Sequence, residues 1–523
     1  MDPPLPMGWA RPALAELVAD VVAINPGGDP EAAICYIDIG AIDSATGTVA
    51  TPKIINGRDA PSRARQRIKT GDVLFSLVRP GLRAIASVPA LVNPVASTGF
   101  CVLSAASGVE PRFLYHWVRN DEFLRAVVAL QRGVSYPAVR ALDLLRQTVP
   151  LAPSLEQAKI VERLEALLSD LDAGVAELHA AQRKLTAYRQ SLLKAAVEGS
   201  LTAGWRDEPR AGDSTGPETG EQLLQRILVQ RRAQWETKQL ARFKQQGKAP
   251  PKDWHVKYPE PVSVRADGLS ALPKGWTWAT AEQLCGFITK GTTPPTGQDQ
   301  GGLKTIPFLR VTNLSQDGSL DLSNQVWVSD EVHRGLLVRS IVYPGDVLMN
   351  IVGPPLGQVS VVPASFPEWN INQAIAVFRA VDGVLPAWLC LCLLSPVTLR
   401  WLRAQAKTTA GQTNLTLEVC RSLPVPLPPM AVQSAIAEAA NGVLAEITGL
   451  ASATSHGLRL AAAQRRNLLK CAFSGQLVPQ DPADEPACAL LARIQAARAA
   501  RAAAQAPKSR PRPPASRTRT SAC

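Results

Sequence analysis

Displaced by 276 positions, two long stretches of this chain fall on each other without a gap, and that duplication limits the fold more than any other feature. Val149 opens VPLAPSLEQAKIVERL and Val425 opens VPLPPMAVQSAIAEAA; the match runs on through SLLKAAVEGSL at Ser191 and NLLKCAFSGQL at Asn467. Upstream, LPMGW at Leu5 answers LPKGW at Leu272, and GDVLFSLVRPGL at Gly71 answers GDVLMNIVGPPLG at Gly345; downstream, DEP at Asp207 answers DEP at Asp484. The offset drifts slightly between blocks, which places insertions in loops. The chain is two copies of a unit of roughly 270 residues.

Each copy opens with about 150 residues of short β-rich runs broken by Gly, Pro and Asn turns, at 33–42, 72–78 and 100–103 and again at 305–311, 346–352 and 374–378. That pattern predicts a compact α/β domain. Prolines then stop the chain (Pro150 and Pro153; Pro426, Pro428 and Pro429), and a helix of about 45 residues begins. In the first copy Leu164, Leu171, Leu178, Leu185 and Leu192 recur every seven residues, with Ile160, Leu167, Ala181, Tyr188 and Ala195 between them. Heptads of this kind make a seam for another helix. The second copy is less regular, with Val443, Leu444, Ile447, Leu450, Leu458, Ala461, Leu468 and Leu469. The repeat supplies a partner within the chain, so an intramolecular antiparallel coiled coil is the leading arrangement, although periodicity also permits an intermolecular one. At about 1.5 Å per residue such a rod is roughly 65 Å long, enough to hold two domains about two turns of DNA apart.

Of the 523 residues 46% are apolar, enough to give each domain a core. The most apolar run, 384–399, contains Pro386 and Pro396 and falls short of the roughly 20 residues a bilayer demands. The first residues show no basic segment followed by an apolar one, so the expected location is cytoplasmic, with reduced cysteines. Nine cysteines, of which only Cys390 and Cys392 are close, and five scattered histidines match no zinc or redox spacing, so no metal is expected. Net charge +12 suggests a polyanionic partner, but eight of the basic residues lie beyond Ala487 with no acid among them. Two further basic stretches run over 53–83 and 223–257, the footprint of either phosphate contact or a solvated face.

Reading bases requires paired donors and acceptors, Arg for guanine and Asn or Gln for adenine, on loops that enter a groove. In the second copy the loop 407–414 offers Lys407, Thr408, Thr409, Gln412 and Asn414 around Ala410-Gly411. Arg310, Thr312 and Asn313 end one strand; Asn370, Asn372 and Gln373 precede another. In the first copy the matching loop holds Gln131, Arg132, Gly133, Val134, Ser135 and Tyr136, and Arg79 and Arg83 follow GDVL. Turn capping is the competing reading for each polar residue. No Walker loop, no GxGxxG after a strand, no NPPY-type or DPPY-type tetrapeptide and no PD followed by ExK occurs, so no catalytic residue is named.

Together LPKGW, GDVL, the segment GQTNLTLEVCRSLPVPLPP from Gly411, Gln157 with Ile160, Gln433 with Ile436, and the LLKxAxxGxL helix ends resemble the specificity subunits of Type I restriction-modification systems. The resemblance covers nearly the whole chain, with departures in the first copy at Pro137 and at Ser97 and Thr98, which stand where the second has Asn372 and Gln373. It implies an α/β fold of two tandem target recognition domains, at 1–148 and 272–424, each followed by a long helix, at 149–201 and 425–478. A basic linker with a short helix would fill 202–271, and a largely disordered basic tail 479–523. It further implies a non-catalytic subunit that binds a bipartite site in double-stranded DNA. Two methylation subunits and restriction subunits would join it, with S-adenosylmethionine, ATP and magnesium held by those partners and no cofactor here. The competing reading is a duplicated coiled-coil scaffold whose α/β domains bind protein. The LLQRI at Leu223 and LLARI at Leu490 are expected to form short helices that dock on a partner.

Overall fold

A computed structural model describes residues 5–133, 135–206, 218–265, 268–294, 303–315, 317–409 and 412–505. It divides into two compact units, residues 1–178 with 456–523, and residues 179–455. This is not the linear division read from the sequence: the end of the chain returns to the first unit, and each long helix is shared between the two.

The two units repeat one sheet topology. In the first, Val18–Ala19, Phe100–Ala105, Val73–Ser76 and Ile85–Ser87 form one sheet in that order, and Lys53–Asn56, Ala33–Ile37, Pro94–Ser97 and Ala64–Arg67 form another. In the second, Cys285–Lys290, Ile375–Ala380, Val347–Asn350 and Val359–Val361 make the first sheet, and Val326–Ser329, Lys304–Leu309, Trp369–Ile371 and Ile341–Val342 the other. Each second sheet contains a parallel pair, Ala33–Ile37 with Pro94–Ser97 and Lys304–Leu309 with Trp369–Ile371. The GDVL motif is the start of a central strand. Its Gly71 and Gly345 take φ of 87°, which favours glycine. The buried carboxylates that follow accept backbone N–H groups, Asp72 from Lys69 at 2.9 Å and Asp346 from Tyr343 at 2.8 Å. Val73, Leu74 and Phe75, like Val347, Leu348 and Met349, are buried on both faces, as a strand between a sheet neighbour and a helix must be.

The long helices span Ser154–Val197 and Met430–Phe473. Of the predicted seam, Leu164 and Leu192 are buried and Leu171, Leu178 and Leu185 half-buried. Ile447 is buried and Leu468 half-buried, but Leu450 is 56% exposed and lies off the seam, because the second helix lacks a strict heptad. Within the first unit Asp172 pairs with Arg465, and Leu178 packs over Gly457, so the two segments run antiparallel. Within the second, Gln182 donates to the Ser455 hydroxyl at 3.3 Å. Among the described residues no single helix is long and apolar enough to cross a membrane; the most apolar, Pro386–Leu394, lies in the core of the second unit.

The short helices expected to dock on a partner dock inside the chain instead. Gly220–Gln245 buries Leu223 and Ile227 in the second unit, and Ala487–Gln505 buries Leu490 and Ile494 in the first. The attachments correspond residue by residue. The N–H of Ala487 donates to Gly8 O at 2.8 Å and that of Gly220 to Gly275 O at 2.7 Å, both acceptors being the glycine of the LPxGW motif. The Arg498 guanidinium bonds the carbonyls of Ala15 and Val18, and Arg231 that of Cys285, each at the end of a short helix, where cations are favoured. Leu490 packs over Gly108 and Leu223 over Gly383, both at positive φ. Thus 487–505, expected to belong to a largely disordered tail, is an ordered clip on the first unit. Lys508, Arg510, Arg512, Arg517 and Arg519 lie outside the described residues, as do Asp207 and the first DEP.

In the first unit Glu165 of the long helix accepts from His116 Nε2 at 3.0 Å and from Arg112 at 2.6 Å. These partners, His116 first, hold its carboxyl down at about 2. A carboxyl lowered on folding stabilises the fold above its ordinary range near 4.5 and loses that contribution as pH falls towards 2. His116, kept neutral chiefly by burial, adds a loss of the same sign below its ordinary value of 6.5. Glu165→Gln is expected to flatten the acid limb of the first unit's stability between pH 5 and 2 in urea titrations; an unchanged limb rejects the assignment.

Candidate nucleic-acid interface

Three segments converge in each unit, tied by the same backbone bonds. In the first, Leu77 N–H donates to Gly99 O and Val139 N–H to Leu77 O, both at 2.9 Å; Val78 bridges Ala138, and Arg79 N–H donates to Pro137 O at 2.7 Å. In the second, Ile351 N–H donates to Ala374 O and Leu415 N–H to Ile351 O, again at 2.9 Å; Val352 pairs with Asn414 and Gly353 with Thr413. One frame therefore carries the turn before a central strand, the segment after GDVL, and the loop before the long helix. The turns are alike although the residues differ. Ser97 Oγ accepts Gly99 N–H at 3.2 Å, as Asn372 Oδ1 accepts Ala374 N–H at 3.3 Å. Turn capping thus accounts for one end of Asn372, and Ser97 replaces it there in the first unit.

On the first frame the structure gathers Arg79, Arg132, Ser135 and Tyr136. The Arg79 guanidinium donates to Ser135 O at 3.2 Å and lies 5.2 Å from the centre of the Tyr136 ring, which is 74% exposed. Arg132 bridges Ala138 and reaches Asp143 at 3.8 Å. Arg79 and Arg83 hold φ of 48° and 57° on either side of the turn Pro80–Leu82. Left-handed backbone at two non-glycine residues costs on the order of 1 kcal/mol each and concentrates at functional surfaces. Arg83 is tied to Asp121 by an ion pair, on a shallow recess with Pro80, Leu124 and Val128, and so stands apart from the Arg79 group. Val134 lies outside the described residues.

On the second frame, the segment read as a loop is largely two paired strands. Lys407–Thr409 pairs with Gln412–Asn414 in the register Lys407 with Asn414, Thr408 with Thr413 and Thr409 with Gln412, and Val352–Gly353 adds a third strand. Ala410-Gly411 lies outside the described residues. Arg310, Asn372 and Gln373 meet just beyond the ends of the parallel strands, where Asn372 N–H donates to Leu309 O at 3.0 Å. Gln373 is exposed there. Arg310 donates to Asn324 O at 3.1 Å through Nη2, while its Nε is buried without a partner. Asn313 does not belong with them. It is buried, accepts Arg310 N–H at 2.8 Å and donates to Asp321 O at 2.8 Å, so both ends of its amide cap a turn. Asn370 is likewise buried, against His333 and Leu337 O.

Sequence reasoning missed the place in the first unit that matches Arg310. Beyond its parallel strands lies a polar recess of Tyr36, Asp38, Lys53, Arg63 and Ser97, in which Lys53 meets Asp38 at 2.6 Å. Thr98 N–H donates to Arg63 O at 2.9 Å, which joins the recess to the shared frame. Lys53 and Arg63 were visible as members of a basic stretch, but their meeting depends on the register of Ala33–Ile37 with Lys53–Asn56.

No family model matches the chain. Among curated proteins it is 26% identical to the Type I restriction enzyme EcoBI specificity subunit of Escherichia coli over 404 residues, 74% of this chain and 72% of that one. It is 22% identical to the Type I restriction enzyme EcoKI specificity subunit of Escherichia coli over 415 residues, 77% and 75% of the two. Among solved structures, a chain from work on complex assembly and conformational transition of the type I R-M system superposes with TM-score 0.63 at 24% identity, covering 91% of this chain and all of that one. It establishes the fold. The HsdS subunit from Thermoanaerobacter tengcongensis matches with TM-score 0.47 at 25% identity, covering 90% of this chain and 98% of that one. With mixed helix and sheet, paired long helices and sequence likeness over three quarters of its length, this chain is a homologue of the specificity subunits of Type I restriction enzymes.

Proposed function

We propose that this chain is the DNA-recognition subunit of a Type I restriction-modification complex. Each unit reads one part of a bipartite target in double-stranded DNA, and adenine methylation and cleavage are carried out by partners, two methylation subunits and the restriction subunits. The observation that carries the reading is the duplicated frame, on which different side chains stand on the same backbone: Arg79, Arg132, Ser135 and Tyr136 in one unit, Arg310, Gln373 and Asn414 in the other. Constant backbone with variable donors is what two half-sites of different sequence require. The long helices act as an antiparallel coiled coil that fixes the spacer, a role supported by the Asp172–Arg465 and Gln182–Ser455 pairs within the units. The subunit is non-catalytic and cytoplasmic. S-adenosylmethionine, ATP and magnesium belong to the partners, a reading supported by a sequence without a Walker loop or an NPPY-type or DPPY-type tetrapeptide.

The test is a map of methylated adenines by long-read sequencing in cells carrying Gln412→Ala with Asn414→Ala. Loss of a bidentate base contact costs about 1 to 3 kcal/mol of discrimination, so one base of one half-site should become degenerate while the other half and the spacer are unchanged. An unchanged map removes the hairpin from the readout; a map altered in both halves refutes the division of labour.

A further inference from the structure

We propose that the outer half of helix Gly220–Gln245, with the segment that folds back along it, is an arm that grips the phosphate backbone of duplex DNA without regard to sequence. The inference rests on the DNA-recognition reading, but not on the residues assigned to base contact. Up to Arg231 the helix is the clip described above. Beyond it, the bonds holding the helix are made to its own return segment. Trp235 stacks on Trp254 with ring centres 5.7 Å apart and meets Tyr258 edge-on at 5.4 Å, and Phe243 meets Trp254 at 6.0 Å. Trp254 is buried by this small cluster, which gives the hairpin a core of its own.

Over 228–258 the sequence carries eight Lys and Arg against two acids. One of those acids, Glu236, is taken up locally by Arg232 at 3.4 Å and His255 at 3.8 Å. Lys238, Arg242, Lys244, Lys248, Lys252 and Lys257 are all exposed, and among the described residues none of them is ion-paired. A row of unneutralised cations on an ordered scaffold raises its own repulsion, which a chain needing only solubility has no reason to stiffen with stacked tryptophans. A partner with a regular line of negative charge offsets that repulsion, and duplex DNA presents one charge per ~1.7 Å. The counterpart clip, Ala487–Gln505, carries Arg501 near its end and is followed in sequence by Lys508, Arg510 and Arg512, which lie outside the described residues.

The experiment measures binding of the full chain to a 30-base-pair duplex of arbitrary sequence across a salt series, using Lys238→Ala, Arg242→Ala, Lys244→Ala and Lys248→Ala combined. Each phosphate contact removed lowers the salt slope by ~0.9, so a fall of about three to four units and at least a tenfold loss of affinity at low salt are expected, with the methylated target sequence in cells unaltered. The four Lys/Arg→Gln changes, which remove the charge but keep a polar side chain, should behave alike; hydrogen exchange over 235–258 unchanged from the wild type reports that the hairpin still folds. An unchanged slope overturns the arm, including the case in which association with an acidic protein partner weakens instead. Failure of the wild-type chain to bind any duplex overturns both the arm and the DNA reading, whereas an altered target sequence with an unchanged slope overturns the arm alone.

Discussion

Ending the chain after Pro486 is expected to unfold the first unit and leave the second intact. The deletion removes Leu490 and Ile494 from the first unit's core, the Ala487–Gly8 backbone bond and the Arg498 bonds to Ala15 and Val18. Burying each aliphatic side chain contributes about 2 kcal/mol and each of these hydrogen bonds about 1 kcal/mol, so the loss is about 5 to 7 kcal/mol. A domain's whole stability is about 5 to 15 kcal/mol. Hydrogen exchange read by mass spectrometry should show residues 14–151 losing protection while 276–427 keep it. The reciprocal change, Leu223→Asp with Ile227→Asp, should reverse the pattern. Protection of the first unit that survives the truncation would mean that the clip is an ornament of the fold.

Gln433→Leu is the point substitution expected to cost most for its size. The Gln433 amide lies fully buried at the start of the second long helix; it accepts Leu385 N–H at 2.9 Å and donates to Gly383 O and Pro428 O, both at 3.1 Å. Leucine fills the space but leaves a buried donor and two acceptors unpaired, at about 1 to 3 kcal/mol each, or about 3 to 9 kcal/mol in all. Gln157 holds Glu110 N–H and Ala152 O in the same way, so Gln157→Leu should injure the first unit. Urea denaturation of the two variants, with the units followed separately by exchange, decides this: a cost below about 1 kcal/mol at either position would strip the glutamine of its role. The Gln-x-x-Ile pattern, which in the sequence was a mark of kinship, is therefore the joint between recognition domain and helix.

Much of the architecture was legible because it depends on local periodicity and on repetition. Proline followed by heptads placed the first long helix, the repeat placed the second, and matching blocks announced two similar units. The candidate interface was legible in part. Arg79, Arg132, Ser135 and Tyr136 were named from the sequence and are gathered on one frame, and the loop 407–414 was named but is a hairpin whose third strand comes from 352–353. Asn313 looks in sequence like an exposed donor, yet its turn consumes it. The Tyr36, Asp38 and Lys53 recess escaped notice because its members are brought together by strand pairing, which no single stretch of sequence reveals.

By itself the sequence determined that a duplicated chain would build two α/β bodies and two long helices, one of them with strict heptads, since helix and strand periods are written in neighbouring residues. Tertiary structure alone decided which pieces complete which body. Leu490 and Ile494 bury themselves in the first core, Leu490 beside Gly108, and Leu223 and Ile227 bury themselves beside Gly383, because an apolar face goes to whichever exposed core lies within reach in space, and distance along the chain does not enter that free energy once the fold is formed.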